Sequence, residues 1–373
     1  MIIGIPKETE ELEKRVALTP GTIQKLVDKG LEVQVEQNAG DAAYYTDDDY
    51  SSAGAQIVKN RSEIFSNADI VLCVQAPPSA DINKMDEERL LICFLDPYQN
   101  EEIIELLKEK RITALAVETI PRISRAQSMD ALSTMSSIAG YKAALMAADH
   151  LDRYMPMMMT AAGTIPPAKV LVLGAGVAGL QAIATAKRLG AAVEAFDIRP
   201  AVKEQVESLG AKFVEVPEME KDTETESGYA KELSEDKQER QRQVIHEHMK
   251  KTNIVITTAL IPGKPAPLLI TAEMAKDMPQ GSIIVDIAAG QGGNCALTEA
   301  GKTVETDGIK IMGPLNIPSS LAHHASQLYG KNMLALLNHL LDDDNRPAFD
   351  FEDEITVNAT ITHGGEIISP MLK

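Results

Sequence analysis

Three glycines at the end of an apolar run have the spacing most specific for chemistry in this sequence. Gly174, Gly176 and Gly179 follow apolar residues 170–173 and lead into an apolar helix pattern over 177–189. Two such glycines let the backbone turn tightly against a pyrophosphate, and the third lets helix pack on strand. The free N–H groups at the helix start then bind phosphate. The pattern predicts a dinucleotide site with contacts from Gly174, Gly176, Val177, Ala178 and Gly179.

An acidic residue, Asp197, closes the next apolar run, 192–196. A carboxylate at this position accepts hydrogen bonds from an unmodified adenosine ribose and repels a 2′-phosphate, so it favours NAD over NADP. Arg199 could favour the opposite choice. We give Asp197 more weight because an acid at this distance completes the glycine pattern, whereas an arginine near a strand end is often only solvated. Both residues are candidate cofactor contacts.

Composition limits the classes of function. A chain of 373 residues exceeds one small core and predicts two or three domains. Its 44% hydrophobic and 24% charged residues are typical of a soluble globular protein. A formal net charge of −19 repels nucleic acid and anionic lipid, so no nucleic-acid partner is expected.

Neither a metal site nor a membrane segment is expected. Cys73, Cys93 and Cys295 lie far apart without metal-ligand spacing, which suits buried thiols in a reducing compartment. The chain opens without a signal-peptide pattern, and no apolar run approaches the roughly 18 residues that cross a bilayer. These features predict a soluble, cytoplasmic protein with no direct membrane insertion.

Strand patterns alternate with helix patterns along the chain, which predicts parallel sheets covered on both faces. The expected fold is α/β, with two domains that each contain a mainly parallel sheet flanked by helices, the second a Rossmann fold. Residues 1–133 and 325–373 should form the first domain, and residues 134–324 the second. Strands are predicted at 2–5, 31–37, 70–74, 90–95, 113–117, 170–173, 192–196, 212–216, 254–258, 282–287 and 309–313, and helices at 22–29, 100–110, 134–153, 177–189, 201–209, 234–251 and 326–341; the tail 349–372 reads as short strands.

Several segments of the second domain bear on the ligand. Small-residue loops 259–265 and 288–293 follow strands at the edge where doubly wound sheets bind ligands, so Thr258, Ala259 and Leu260 are candidate cofactor contacts. A polar stretch, 218–233, predicts a mobile loop whose Tyr229 either closes over ligand or rests on the nearest surface. The methionines of 155–159 could line a pocket, although methionine more often fills core space. His246 and His248 diverge on a helix and should not share a metal.

Two opening motifs resemble a known family. Residues 4–8, Gly-Ile-Pro-Lys-Glu, and 14–20, Lys-Arg-Val-Ala-Leu-Thr-Pro, resemble the start of the family shared by alanine dehydrogenase and the NAD-binding subunit of proton-translocating transhydrogenase. The segments 118–133 and 257–267 resemble the transhydrogenase branch, and the resemblance spans nearly the whole chain.

Departures from the alanine dehydrogenase pattern are equally informative. Gln75, Asp96 and Gly290 stand where that enzyme has Lys, His and Asp. Deamination needs a cation for the substrate and an acid/base for the proton, and these residues supply neither. Arg15 remains, but one arginine does not make an amino-acid site. Hydride transfer between two nicotinamides moves no proton at the reacting carbons, so it requires ring positioning instead.

The resemblance implies roles for a polar loop. It implies that Arg122, Gln127, Asp130 and Ser133 contact the nicotinamide end of NAD(H) as catalytic residues, with Gln127 reaching toward a second nucleotide on a partner subunit. A structural alternative is that Arg122 and Asp130 pair only to shape the loop. Tyr229 matches the family's mobile-loop tyrosine, which closes on bound nucleotide.

The leading hypothesis is therefore the NAD(H)-binding component of a transhydrogenase. It implies direct hydride transfer from NADH held here to NADP⁺ on a partner subunit, with little or no activity by the chain alone. The resemblance further implies a homodimer, NADP(H)-binding and membrane-spanning partner subunits, and a peripheral location at the inner face of the cytoplasmic membrane. An amino-acid dehydrogenase of the alanine type and a non-catalytic NAD-sensing protein are the alternatives.

Overall fold

The computed structural model of the chain describes residues 1–216, 235–261 and 263–372. Its contacts divide the chain into two compact units. Unit 1 comprises Met1–Met135 and Ser319–Lys373, and unit 2 comprises Ser136–Pro318. The two ends of the chain therefore build one unit, with the middle of the chain inserted as the other.

Strands and helices alternate through both units, joined in places by short 3₁₀ turns. In chain order the elements are β1 Ile2–Ile5, α1 Pro20–Val27, β2 Glu32–Glu36, α2 Asp47–Ser52, β3 Gln56–Val58, α3 Arg61–Asn67, β4 Ile70–Gln75, α4 Ser79–Ile82, β5 Leu90–Phe94, α5 Glu101–Glu109, β6 Thr113–Ala116, α6 Ala131–His150, β7 Met158–Thr160, β8 Gly163–Ile165, β9 Lys169–Leu173, α7 Val177–Arg188, β10 Ala192–Phe196, α8 Lys203–Ser208, β11 Lys212–Phe213, α9 Glu235–Met249, β12 Ile254–Thr257, α10 Ala272–Lys276, β13 Ile283–Asp286, β14 Thr303–Thr306, β15 Ile309–Met312, α11 Ala322–Leu340, α12 Glu354–Ala359, β16 Thr360–His363 and β17 Glu366–Ile367.

Unit 1 contains an eight-stranded sheet in the order β17-β16-β6-β5-β4-β1-β2-β3. Its first six strands along the chain pair in parallel, and β16 and β17 join antiparallel at one edge. From β3 to β6 the order is that of a doubly wound Rossmann sheet, 3-2-1-4-5-6. The sequence-based expectation of a mainly parallel sheet is confirmed for this unit.

Unit 2 contains a seven-stranded sheet in the order β11-β10-β9-β12-β13-β15-β14. All its pairings are parallel except the antiparallel one between β14 and β15. Strand β9 shows why both faces must be covered: Val170 and Val172 lie in one buried apolar cluster, and Leu171 and Leu173 lie in another. Successive side chains point to opposite faces, so this strand buries both and unit 2 is the predicted Rossmann fold.

Close packing of α6 on α7 was not evident from the sequence. A Cβ added at Gly140 of α6 would lie 1.9 Å from the backbone oxygen of Ala178 in α7. Only a glycine permits this approach, and it brings the two helices into backbone contact at the start of α7.

Among the described helices, none combines the length and hydropathy that crossing a membrane would require.

Predicted and observed bounds agree within four residues for the long elements, but short ones differ. The helices α2, α3 and α4 and the strand β3 were not predicted, because each is too short to show a hydrophobic period. The tail was wrongly predicted as strands alone: α12 begins after Asp353, whose carboxylate accepts the N–H groups of Ile355 and Thr356 at 3.0 Å. This N-cap starts a helix where the tail was expected to form only short strands.

The methionine segment was also misjudged. Residues 158–165 form the two-stranded hairpin β7–β8, which no pattern predicted. Met155 is buried, but Met157 and Met159 are 56% and 76% exposed, so the expectation that the methionines fill a core is wrong for these two. Buried free thiols were correctly expected at all three cysteines. His246 and His248 do diverge, since one contacts Asp277 and the other Glu194.

Candidate functional site

The adjacent strands β9 and β12 form the switch point of the unit 2 sheet, because the sheet continues in opposite directions from them. Doubly wound sheets bind ligands at the carboxyl ends of such strands. There the Thr258 N–H donates to the Leu173 oxygen at 2.9 Å, and its hydroxyl donates to the Gly174 oxygen at 3.1 Å. These bonds attach the loop after β12 to the glycine turn after β9.

The three glycines of the turn have different local reasons to be glycine. Gly174 has φ +99°, and an added Cβ would lie 2.6 Å from the Thr258 hydroxyl. A Cβ at Gly179 would lie 1.8 Å from the Gly174 oxygen. At Gly176 the same atom would meet nothing within 4 Å. Two glycines are therefore required by the fold itself, whereas Gly176 faces open space at the N-terminus of α7.

That open space lies at a helix N-terminus, which has the donors that a pyrophosphate requires. Gly176 is the N-cap residue of α7, a helix of 12 residues with no acidic side chain in its first turn. The first N–H groups of a helix lack intrahelical acceptors and attract anions. Two apolar side chains at this edge are exposed. Val177, directly after Gly176, is 40% exposed, and Leu260, in the loop after β12, is 38% exposed. The described geometry thus leaves phosphate donors and apolar surface uncovered on the same edge of unit 2.

Asp197 and Arg199 are bound to one another beside this turn. Both carboxylate oxygens of Asp197 accept hydrogen bonds from Arg199: its N–H and Nε at 2.9 Å, and its Nη2 at 2.7 Å. The Ala175 N–H donates to the same carboxylate at 2.7 Å, which places the acid directly against the glycine turn. The arginine that could have favoured a 2′-phosphate is thereby engaged with the acid that disfavours one.

A buried carboxylate at the end of β13 supports the loop after β12, and the sequence did not single it out. Asp286 is fully buried and accepts from the hydroxyls of Thr257 and Thr298 and from the backbone N–H groups of Ala288, Asn294 and Cys295. Asn294 is also fully buried. It donates to the Ala259 oxygen at 2.9 Å and accepts from the Ala259 N–H at 3.0 Å. The signal available was only an acid ending an apolar strand.

The candidate catalytic residues lie in unit 1, on residues 122–130 and the first turn of α6. Arg122 and Gln127 are exposed to solvent at least in part, while Ile120, Ala126 and Met129 are buried beneath them. Buried apolar residues alternating with exposed polar ones indicate a loop held against the unit. Tyr229, the remaining predicted cofactor contact, lies outside the described residues.

Asp130 has a structural contact of its own. Its Oδ1 accepts the Ser133 N–H at 2.8 Å, and α6 begins at Ala131, so Asp130 is the N-cap of that helix. The cap joins two of the four residues that the resemblance selected. The helix start therefore fixes their relative position.

In unit 1, Arg15 of the second opening motif pairs with the nearby Glu13. Glu13 binds Arg15 through the arginine's Nε at 2.8 Å and its Nη2 at 2.6 Å, and both residues are buried. Gln75, at the end of β4, donates to the same carboxylate at 2.9 Å. A buried arginine neutralised in this way is already paired, which leaves it unsuited to hold a substrate carboxylate.

Two partly buried glutamates near the ends of β1 and β6 ionise less readily than ordinary carboxylic acids. Glu118 accepts the N–H groups of Leu95 and Asp96 on Oε1, while its buried Oε2 has no hydrogen-bond partner among the described residues. Burial raises the pKa of Glu118 to about 7. Burial also raises the pKa of Glu8 to about 7, although this carboxylate accepts from the Val74 and Gln75 N–H groups.

Known proteins resemble the chain over its full length. The model of the alanine dehydrogenase/PNT N-terminal domain matches residues 4–139, and that of the C-terminal domain matches residues 143–370. A Rhodospirillum rubrum protein, named as the first part of NAD(P) transhydrogenase subunit alpha, is 50% identical over 100% of this chain and 99% of that one. A solved transhydrogenase structure from Sinorhizobium meliloti is 44% identical, with a TM-score of 0.89 over 99% of this chain and 100% of that one. An L-alanine dehydrogenase structure is 27% identical, with a TM-score of 0.83 over 100% and 98% of the two chains.

Glu118 should make stability depend on pH. With an ordinary pKa near 4.5 and a folded pKa of about 7, the folded chain holds a proton that the unfolded chain releases between these values. Stability from this group is therefore lost as pH rises from about 4.5 to 7 and is constant above. Between pH 5 and pH 8 the wild type should lose on the order of 2–3 kcal/mol of unfolding free energy that Glu118→Gln keeps. Denaturant unfolding at both pH values measures this difference.

The exposed Glu102→Gln serves as the matched control and should follow the wild-type pH curve. Glu8 should keep part of the dependence in the Glu118 variant. Parallel curves for wild type and Glu118→Gln would contradict the assignment.

Proposed function

The chain belongs to the alanine dehydrogenase/PNT family, and we propose that it is the NAD(H)-binding component of a transhydrogenase. The observation that carries this proposal is the open space at Gly176, the N-cap of α7, where an added Cβ would meet no atom within 4 Å. Similarity over the full length of the chain to a transhydrogenase subunit, 50% identical, and to a transhydrogenase structure, 44% identical, supports the same assignment. We also propose that the predicted domains, 1–133 with 325–373 and 134–324, act as the two functional parts.

The nucleotide on this chain is proposed to be NAD(H), with NADP(H) on a partner subunit. Asp197 supports this choice because its carboxylate stands against the glycine turn and Arg199 is already bound to it. A 2′-phosphate would meet the carboxylate and compete for the same guanidinium. Ribose hydroxyls, which donate hydrogen bonds, can share the carboxylate oxygens with Arg199.

We propose that the remaining cofactor contacts come from the two loops at the switch point. Gly174, Gly176, Val177, Ala178 and Gly179 would hold the pyrophosphate, and Thr258, Ala259 and Leu260 would line its other side. Asp286 and Asn294 fix that second loop from beneath. Tyr229 is proposed to close on bound nucleotide.

The two nucleotides would react by transfer of a hydride from the reduced to the oxidised nicotinamide ring. Since no proton moves at the reacting carbons, the protein's task is to position the rings and exclude water. We propose that Arg122, Gln127, Asp130 and Ser133 perform this task at the nicotinamide end. The Asp130 cap on Ser133 gives two of them a fixed geometry before ligand arrives.

Amino-acid dehydrogenation is disfavoured by the charges in unit 1. Arg15, the cation left from the opening motif, is buried and bound by both oxygens of Glu13, and Gln75 donates to the same carboxylate. A substrate carboxylate would have to displace an internal one. The arrangement agrees with the absence of Lys, His and Asp at positions 75, 96 and 290.

A homodimer is proposed from the family resemblance, and the hairpin β7–β8 is a surface suited to it. Its two strands pair only with each other among the described strands. Met159 and Ile165 on the hairpin, and Met157 just before it, are 76%, 46% and 56% exposed. An isolated hairpin is marginally stable in water, and exposed apolar groups of this kind mark interfaces. We further propose that the dimer attaches at the cytoplasmic membrane face through membrane-spanning partner subunits.

Purified chain should transfer hydride from an NADH analogue to NADP⁺ only when an NADP(H)-binding transhydrogenase component is added. Gln127→Asn should slow this transfer with NADH affinity nearly unchanged, because the residue positions rings rather than holding the nucleotide. Absorbance of the analogue and calorimetric NADH binding measure the two effects. NADH consumption with an oxo acid and ammonium would identify an amino-acid dehydrogenase instead, and NADH binding with no hydride transfer in the presence of the component would favour a sensor. An unaffected Gln127→Asn complex would remove Gln127 from ring positioning.

Gly176→Ala and Gly179→Ala should separate binding from folding. The Gly176 variant should keep the wild-type Tm within a few degrees, since its Cβ meets nothing, yet lose at least about tenfold in NADH affinity. The Gly179 variant should be strongly destabilised, because its Cβ overlaps the Gly174 oxygen. Thermal unfolding and calorimetry distinguish them. Full NADH affinity in Gly176→Ala would place the pyrophosphate elsewhere.

The double variant Met159→Glu/Ile165→Glu should convert a dimer to monomers, because it buries two charges in the proposed interface. Light scattering after size exclusion measures the mass. Tyr98→Glu, at an exposed aromatic of unit 1, is the control and should remain dimeric. A dimeric hairpin variant would assign the interface to another surface.

A further inference from the structure

The loop that carries Gln127 is tied down on both sides by residues from the C-terminal segment of unit 1. Before Gln127, the Arg125 guanidinium forms an ion pair with Asp353, the N-cap residue of α12. After it, the Asn332 side-chain amide in α11 donates to the Ser128 oxygen at 2.8 Å. Gln127 itself is exposed and lies in the chain between these two attached residues, Arg125 and Ser128.

We propose that Asp353 and Asn332 are positioning residues that hold Gln127 for hydride transfer. The inference rests on the proposed function and adds to it two residues more than 200 positions away along the chain. Neither needs to touch a nucleotide. Asn332 binds the loop backbone at Ser128, and Asp353 binds the side chain of Arg125.

Asp353 is built as a fixed acceptor. It accepts the Ile355 and Thr356 N–H groups at 3.0 Å and contacts His339 Nε2 at 3.0 Å, and its side chain is 13% exposed. Burial opposes its ionisation, but hydrogen bonds from Thr356, Arg125 and His339 lower its pKa to about 2. The carboxylate is thus charged at physiological pH and cannot move without uncapping α12.

Asn332 is costly where it lies, which sets it apart from an ordinary core residue. It is 6% exposed, and its Oδ1 is buried without a hydrogen-bond partner among the described residues. An unsatisfied buried acceptor destabilises a fold, because it loses its hydrogen bonds to water without replacement. The amide of the same side chain nonetheless reaches the Ser128 oxygen of the loop. A third tie, from the Thr119 hydroxyl to the Asn358 oxygen at 2.8 Å, joins the loop's start to the same segment.

The test uses the full chain with the NADP(H)-binding component. Asn332→Leu removes the donor and the orphan acceptor together, so stability should be unchanged or higher while hydride transfer falls at least about fivefold. Asp353→Ser keeps an N-cap residue but removes the charge that holds Arg125, and should slow transfer similarly. Calorimetric NADH affinity should stay within about twofold of wild type in both. Arg346→Gln, an exposed arginine in the same segment, is the control and should leave the rate unchanged.

Hydrogen exchange of the peptide covering residues 120–130 gives a readout independent of activity. It should rise in Asn332→Leu and Asp353→Ser and not in Arg346→Gln. Wild-type rates in the two variants, or slowed transfer with wild-type exchange, would overturn the positioning role while leaving the proposed function intact. A wild-type chain that stays inactive with its partner component would overturn both.

Discussion

The contact between Gly179 and the Gly174 oxygen is the constraint on which the candidate nucleotide site depends. A Cβ there would approach within 1.8 Å of that oxygen, so α7 can start this close to β9 only because position 179 carries no side chain. The close start directs the first N–H groups of α7 into the open space at Gly176. Thr258 then binds the Gly174 oxygen, which adds the loop of the neighbouring strand to the same edge.

Both units use buried polar side chains to shape exposed loops. In unit 2 the fully buried Asp286 and Asn294 hold the backbone around Ala259. In unit 1 Asn332 holds the loop backbone after Gln127, and Asp353 holds the Arg125 side chain before it. A loop secured through its backbone leaves its side chains available for ligand, and a preorganised loop loses less entropy when ligand binds.

Sequence reasoning succeeded where the determining contacts are local and failed where they are not. The glycine turn, the strand before it and the acid at Asp197 lie within about 30 residues, and each leaves a periodic or motif signal. Asp286 was missed because its contacts with Thr257 and other buried groups leave no motif or periodic signal in the sequence. Gly140 was missed for the same reason, since only the folded chain shows the Ala178 backbone against it. The short α2 had a capping box at Thr46 as its one usable signal.

The unit 1 sheet also has a switch point, between β1 and β4, and its contents explain how one fold can serve different chemistries. Here the ends of these strands hold Arg15 against Glu13 and Gln75 against the same carboxylate. Glu13 therefore binds the Arg15 guanidinium that a substrate carboxylate would otherwise bind. Glu8, held largely neutral by burial, adds little charge below about pH 7. Because Arg15 is already paired, proton chemistry on a small acid lacks that anchor at this edge, and the polar groups of unit 1 that we assign to catalysis are those around Gln127.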